Sequence, residues 1–187
     1  MGEYKVSDLI SNVESVRSLA EQAGFISAVF DADILTPDMR VRAMCEENRC
    51  ARFDRSWSCP PACGTIEQLT HEMSKYKRGI LLVSVFDTDG DFDLEGIKNG
   101  QLAHVKRFDT LVRQTRFFFP SCMPMAAGSC TRCHKCTYPD SPCRFPDRLY
   151  PSMEACGLLV SRICEDCGLK YNNGPSTITF VSCILLY

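Results

Sequence analysis

Residues 79–86 read GILLVSVF, and this short apolar run decides how the rest of the chain is arranged. Its long aliphatic and β-branched side chains, followed by a turn at residues 87–90, are typical of a buried strand. A second run of the same kind, TITFVSCILLY, occupies residues 177–187. Residues 25–34 alternate loosely between apolar and polar side chains and predict a further short strand. The sequence therefore predicts a small sheet of two or three strands.

Helical periodicity appears between these runs. The first apolar stripe predicts an opening helix that stops at Gly24, and its members are Val6, Leu9, Ile10, Val13, Val16 and Leu19. Thr65 and Gln68 fit a capping box for a second helix, residues 99–119 predict a third, and Ser152 is expected to cap a fourth. The third helix is predicted to face inward with Leu102, Val105, Phe108 and Val112. A small sheet covered by about four helices predicts an α+β (or α/β) fold in a single domain, residues 1–187.

The overall composition excludes several classes of protein. The chain has 187 residues, 45% of them apolar, and a net charge of −2, so no excess positive charge predicts nucleic acid or an anionic membrane as a partner. No apolar run reaches the length needed to cross a bilayer, and residues 1–20 lack the pattern of a signal peptide. We therefore expect a cytoplasmic protein.

Thirteen cysteines are the most unusual feature of the sequence. They are Cys45, Cys50, Cys59, Cys63, Cys122, Cys130, Cys133, Cys136, Cys143, Cys156, Cys164, Cys167 and Cys183. The odd count without a signal peptide argues against a framework of disulfides, and a reducing cytosol keeps thiols free. Free thiols at short spacing are metal or cluster ligands, catalytic groups or small core residues.

The second group of cysteines gives the strongest signal for a cofactor. Cys130, Cys133 and Cys136 follow one another at intervals of three residues, and Cys143 comes seven residues later. Bacterial ferredoxins use the same triple to place three thiolates around one 4Fe–4S cluster. Cys143 is then either the fourth ligand or part of another site. Zinc is the alternative, although structural zinc sites more often use separated pairs of cysteines, and ordinary core thiols are the remaining reading.

The first group of cysteines predicts a second site of the same kind. Its members are Cys45, Cys50, Cys59 and Cys63. Pro60 follows Cys59 directly, which withholds a backbone N–H and turns the chain away from a ligand. Cys63 stands just before the predicted helix that begins after Thr65, and the positive end of a helix favours an anionic cluster. Trp57 and Phe53 either shield this site from water or belong to the core.

The remaining cysteines and the histidine within the triple have more ordinary interpretations. Cys156, Cys164, Cys167 and Cys183 are predicted to lie in the core, and Cys122 is unassigned. His134 is interpreted as an exposed loop residue rather than a ligand. Neither a P-loop nor a dinucleotide-binding, zinc-protease or serine-hydrolase motif is present.

These cysteine motifs resemble those of a family of predicted metal-binding proteins found mostly in anaerobes. The stretches that carry the resemblance are SWSCPPACGTIE (56–67), GSCTRCHKC (128–136), PCRFP (142–146) and PSMEACGLLV (151–160). The resemblance covers roughly residues 40–187 and leaves the opening helix outside. The resemblance implies a metal bound by cysteines, in the form of an iron–sulfur cluster. It implies no defined reaction.

The sequence thus predicts a protein with one or two 4Fe–4S clusters that exchanges electrons with a redox partner protein. Whether Cys63 and Cys143 are ligands stays open. If either is not, a cluster keeps three thiolates, and the second hypothesis is an enzyme whose open iron acts as a Lewis acid. The third hypothesis is a zinc-stabilised interaction module. A binding role is favoured over catalysis, and no oligomeric state is predicted.

Overall fold

The computed structural model describes residues 6–90 and 93–187. The predicted domain extends over 1–187, so residues 1–5 and 91–92 of it lie outside the described part. The elements in chain order are α1 (Val6–Gln22), β1 (Ile26–Asp31), α2 (Met39–Glu46), α3 (Ile66–Met73), β2 (Arg78–Asp87), α4 (Leu94–Phe118), β3 (Met123–Met125), α5 (Val160–Asp166) and β4 (Thr177–Leu185). Short 3₁₀ turns occupy Ala32–Ile34 and Pro146–Arg148. In these described ranges, no helix is both long enough and apolar enough to span a bilayer.

The four strands form one antiparallel sheet in the order β1-β2-β4-β3. The two apolar runs of the sequence, β2 and β4, are its central strands, and Leu82 pairs with Ser182 in their register. β3 is an edge strand of three residues that pairs Met123 with Leu185. β2 is paired on both sides over residues 79–83 and β4 over residues 183–185, so the backbone hydrogen bonds of these stretches are satisfied within the sheet.

Helices cover both faces of the sheet. α1 and α4 pack on one face, where Val16 and Leu111 belong to one cluster with Leu82. α3 and α5 lie on the other, where Leu69 and Ile163 belong to one cluster with Leu81. Burial on both faces explains why β2 is continuously apolar instead of alternating. The predicted α+β fold, a small sheet covered by helices, is confirmed, with one strand and one helix more than expected.

The fourth predicted helix begins later than its cap signal indicates. Ser152 does bind the backbone N–H of Ala155 through its hydroxyl, at 3.0 Å. However, Gly157 has φ +78°, and its carbonyl accepts a hydrogen bond from the backbone N–H of Asp38, so the chain turns there. The α-helix starts only at Val160. Gly157 also lies against the side chain of Ile66, where a Cβ atom would come within 2.6 Å of Cδ1.

Two apolar side chains that were expected to face inward are exposed. Ile10 is 58% exposed because the buried part of α1 begins at Val13. Leu102 is 47% exposed, since the face of α4 that meets the sheet carries His104 and Phe108 instead. α4 itself begins five residues before the predicted start, because the Asp93 carboxylate caps it.

A polar group that the sequence did not indicate, His104, is buried between α4 and the sheet. The ring of His104 is 1% exposed, with Nδ1 2.9 Å from Ser84 Oγ and Nε2 2.8 Å from Ser182 Oγ. The edge of Phe25 packs against the imidazole. Burial, together with the nearby charge of Arg107, lowers the pKa of His104 to about 4. The ring is therefore neutral at physiological pH.

We expect this histidine to make stability depend on pH. Between about pH 6.5 and pH 4 the unfolded chain protonates His104 and the folded chain does not, so the free energy of unfolding decreases as pH falls. The decrease is at most about 1.4 kcal/mol per pH unit and about 3 kcal/mol in total. Urea unfolding at a series of pH values checks it. His104→Gln should flatten the profile, while His134→Gln, which changes an exposed histidine, should not; equal profiles for all three proteins would contradict the assignment.

Candidate metal centre

The second cysteine loop follows the edge strand β3, and the first cysteine loop is hydrogen-bonded to the second. The second loop, residues 128–145, leaves the sheet shortly after Met125, and Ala126 bridges Ser152 on the segment that precedes α5. The first loop, residues 47–64, connects α2 to α3, and Cys45 lies in the last turn of α2. The predicted capping box of α3 is confirmed, since Thr65 and Gln68 bond each other's backbone N–H. This cap fixes the point at which the first loop ends.

All four cysteines of the second loop line one narrow cavity, and they are Cys130, Cys133, Cys136 and Cys143. Trp57 of the first loop also lines it, so the tryptophan lies at the second site and not at the first, where the sequence placed it. The predicted exposure of His134 is confirmed. The cavity holds about 20 Å³, which is room for about one water molecule or one ion. A cubane therefore requires the loop to open around it.

Hydrogen-bond donors surround the sulfur atoms of this cavity. Burial raises the pKa of Cys136, but the backbone N–H groups of Tyr138 and Trp57 and the hydroxyl of Ser56 outweigh it and leave the pKa below its ordinary value. The backbone N–H of Phe145 lies 3.4 Å from Cys143 Sγ. Such donors favour the thiolate, which is the form that binds metal.

Arg132 places a fixed positive charge at the same cavity. Its Nη1 lies 3.6 Å from Cys130 Sγ, and its Nη2 donates to the carboxylate of Asp109. Both side chains of this ion pair are less than 15% exposed, and the guanidinium lies over the ring of Tyr150. A cation held in this way offsets part of the negative charge that four thiolates would bring.

The first loop lines a second, larger cavity of about 560 Å³. Three of its predicted ligands, Cys45, Cys50 and Cys59, contribute to the wall. The rest is mainly apolar, with Val41, Met44, Phe53, Leu158 and Leu159 among the lining residues. Burial first, and then the nearby charge of Glu154, raises the pKa of Cys45 to about 11. A metal that binds this thiol at neutral pH must displace its proton.

Cys63 is separated from that cavity. Its side chain packs against the core below α3 and α5, and Arg42 Nη1 lies 3.9 Å from its sulfur. Arg42 is only 7% exposed and donates to the carbonyl oxygens of Ala155 and Gly64. Within residues 6–90 and 93–187, it has no carboxylate partner within ion-pair distance.

The two loops are bonded to each other. Ser58 Oγ accepts a hydrogen bond from the backbone N–H of Cys130 at 3.0 Å and lies 3.7 Å from Cys59 Sγ. Trp57 Nε1 donates to the carbonyl of Ser141 at 3.0 Å. The two cavities are therefore neighbours in one unit. In the described part of the chain, no three Cys, His, Asp or Glu side chains converge closely enough to hold a single metal ion.

The other cysteines follow the expectation that they are core residues. Cys156, Cys164 and Cys183 are fully buried, and Cys167 is partly buried against the same cluster. Cys122, which the sequence left unassigned, is buried on the opposite face of the sheet. The charged residues Arg42, Arg132 and Glu154 were not singled out from the sequence. The sequence does carry one signal for Glu154, since it is the single charged residue of the stretch 151–160, which is otherwise made of apolar and small residues.

One protein family matches the chain when it is compared with known families. A family model described as "Predicted metal-binding protein (DUF2284)" matches residues 28–186. The match begins upstream of the region covered by the resemblance in sequence and, like it, excludes α1. Neither a curated protein nor a solved structure matches the chain.

Proposed function

We propose that this chain, which belongs to the predicted metal-binding protein family DUF2284, binds iron in two 4Fe–4S clusters, one in each cysteine loop. The protein would exchange single electrons with a redox partner protein. Membership of the family supports metal binding; the iron–sulfur assignment and the redox role are inferred from the side chains.

The observation that carries the proposal is the shared cavity of Cys130, Cys133, Cys136 and Cys143. A donor set made only of sulfur suits iron–sulfur clusters or zinc and excludes the hard, oxygen-seeking cations. The N–H groups that face Cys136 and Cys143 are the kind of donors that tune the potential of a cluster. The donor chemistry of the residues present therefore fits the group once the loop has opened, and the triple spacing favours a cluster over a single zinc ion.

The charges of the two sites support an anionic cofactor. Each site has a guanidinium near one of its thiols: Arg132 Nη1 lies 3.6 Å from Cys130 Sγ, and the positive charge of Arg42 acts on Cys45 of the first site. A buried cation without a carboxylate partner is costly. A negatively charged cluster next to Arg42 offsets that cost, and we expect the guanidinium in return to raise the reduction potential of the cluster.

The electron-transfer role rests on the contact between the loops. Ser58 touches Cys59 and binds the backbone of Cys130, so clusters held in the two cavities would be close neighbours. A bound cluster supplies reversible one-electron chemistry, and the chain supplies its ligands, donors and shielding. Cys50 is exposed, which leaves the first site open to a partner protein.

The large cavity favours a second candidate function. An apolar space of about 560 Å³ beside Cys45, Cys50 and Cys59 is of the size that holds a small organic molecule. A cluster with an iron open to this cavity would supply Lewis-acid chemistry. We therefore keep an enzyme as the alternative, with its substrate bound between α2 and the segment before α5.

Redox titration followed by EPR tests the proposed function. Protein purified without oxygen should show two reversible one-electron reductions, and the spectra of the two reduced clusters should broaden each other because the sites are adjacent. Addition of small oxygen or nitrogen ligands separates the candidates: an altered spectrum favours the enzyme, and an unaltered one favours electron transfer. Protein that binds zinc and shows no reducible centre would contradict both.

A further inference from the structure

We propose that Glu154, and not Cys63, is the fourth ligand of the cluster in the first loop. That cluster would then have three thiolates, from Cys45, Cys50 and Cys59, and one carboxylate. The inference rests on the proposed function, because it assigns a ligand to one of the two clusters.

The lining of the large cavity points to this ligand set. It includes Glu154 together with Cys45, Cys50 and Cys59, and it does not include Cys63. Glu154 also lies near enough to the Cys45 sulfur for its charge to act on that thiol. One carboxylate and three thiols thus face the same space, whereas the fourth predicted thiol does not.

Glu154 has no other function in the structure that accounts for its position. The residue keeps some exposed surface, but its Oε2 is closed to solvent and has no hydrogen-bond partner among the described residues. An acceptor buried in this way costs about 1–3 kcal/mol, and more when it is charged. Coordination to iron would satisfy this oxygen in the ionised form.

Cys63, in contrast, has neighbours that account for it. Its sulfur lies 3.9 Å from Arg42 Nη1 and 4.0 Å from the carbonyl oxygen of Gly64. It packs against the core cluster that contains Cys156 and Leu69. This environment is that of a small buried residue next to a structural arginine.

A carboxylate ligand has a chemical consequence for the site. Carboxylate oxygen is a harder donor than thiolate and binds iron of a cluster less firmly. In the enzyme alternative, the iron that exchanges its ligand would therefore be the one held by Glu154, which lines the cavity of about 560 Å³. The ligands of that iron would be small molecules with an apolar body and an oxygen or nitrogen donor.

Four variants test the assignment. Glu154→Gln keeps the size of the side chain and removes the carboxylate; Glu165→Gln makes the same change at an exposed position of α5. Cys63→Ser removes the competing ligand, and Glu154→Cys replaces the carboxylate by a thiolate. Each protein is reconstituted anaerobically with iron and sulfide, and its iron content and EPR spectrum are measured.

We expect Glu154→Gln to contain about one iron fewer per chain and to show the EPR signal of a three-iron cluster. Cys63→Ser and Glu165→Gln should keep the full iron content, and Glu154→Cys should regain it without the three-iron signal. Loss of iron from Cys63→Ser, or full iron in Glu154→Gln, would overturn the assignment. If Glu154→Gln does not fold, Cys63→Ser and Glu154→Cys still decide it. Wild-type protein without iron and sulfide would instead contradict the proposed function itself.

Discussion

Cys133→Ser should remove a whole cluster, which is about four iron and four sulfide per chain. Cys133 is the middle member of the triple and lines the narrow cavity with the other three cysteines of its loop. The 3₁₀ turn Pro146–Arg148 is the only regular element between β3 and α5 in the described chain, so the metal is expected to hold this segment together. With several kcal/mol of binding energy lost, the melting temperature should fall by about 10 °C.

The matched control for this change is Cys167→Ser. Cys167 is also partly buried, but it lines neither cysteine cavity and packs against the core near α5. That variant should keep its iron and lose little stability. Iron and sulfide analysis with a thermal melt of both proteins is the measurement. If Cys133→Ser retains its full iron content and melting temperature, the second loop is not the cluster site.

Arg42→Met should destabilise the protein by about 3 kcal/mol. The guanidinium joins α2 to the carbonyl oxygens of Gly64 and Ala155, and hydrogen bonds of charged donors contribute about 1.5–3 kcal/mol each. Methionine fills most of the volume, so packing is largely kept. We also expect the reduction potential of the first cluster to fall, because a positive charge near its ligands is lost.

Arg40→Met is the matched control, since it changes the same residue type on the same helix. The side chain of Arg40 is 90% exposed and pairs only with Asp38, so its loss should change stability by no more than about 0.5 kcal/mol. Urea unfolding of both variants gives the comparison. Equal stabilities would show that the buried position of Arg42 does not matter to the fold.

The sheet and the helices that pack on it were largely predictable from local sequence patterns. GILLVSVF became β2 because a continuous apolar run suits a strand covered on both faces, and Thr65 and Gln68 made the expected cap. β3 was missed because Met123–Met125 is too short to carry a period, and it forms only by pairing with β4. The helix expected after Ser152 failed where Gly157 lets the chain turn against Ile66.

The candidate site was less predictable from the sequence than the sheet was. Spacing grouped the cysteines by loop, and the structure does bring Cys130, Cys133, Cys136 and Cys143 to one cavity. Spacing cannot tell which way each sulfur points, so it left open whether Cys63, four residues after Cys59, is a ligand. Arg42 and Glu154 were invisible as site residues because their importance comes from burial by distant segments. Such burial is a property of the assembled fold.

Metal and acid-labile sulfide analysis of protein purified without oxygen tests the central claim most directly. The account predicts about eight iron and about eight sulfide per chain, with the brown colour of cubane clusters. About four of each would mean that only one loop holds a cluster. Zinc in place of iron, without sulfide, would contradict the account.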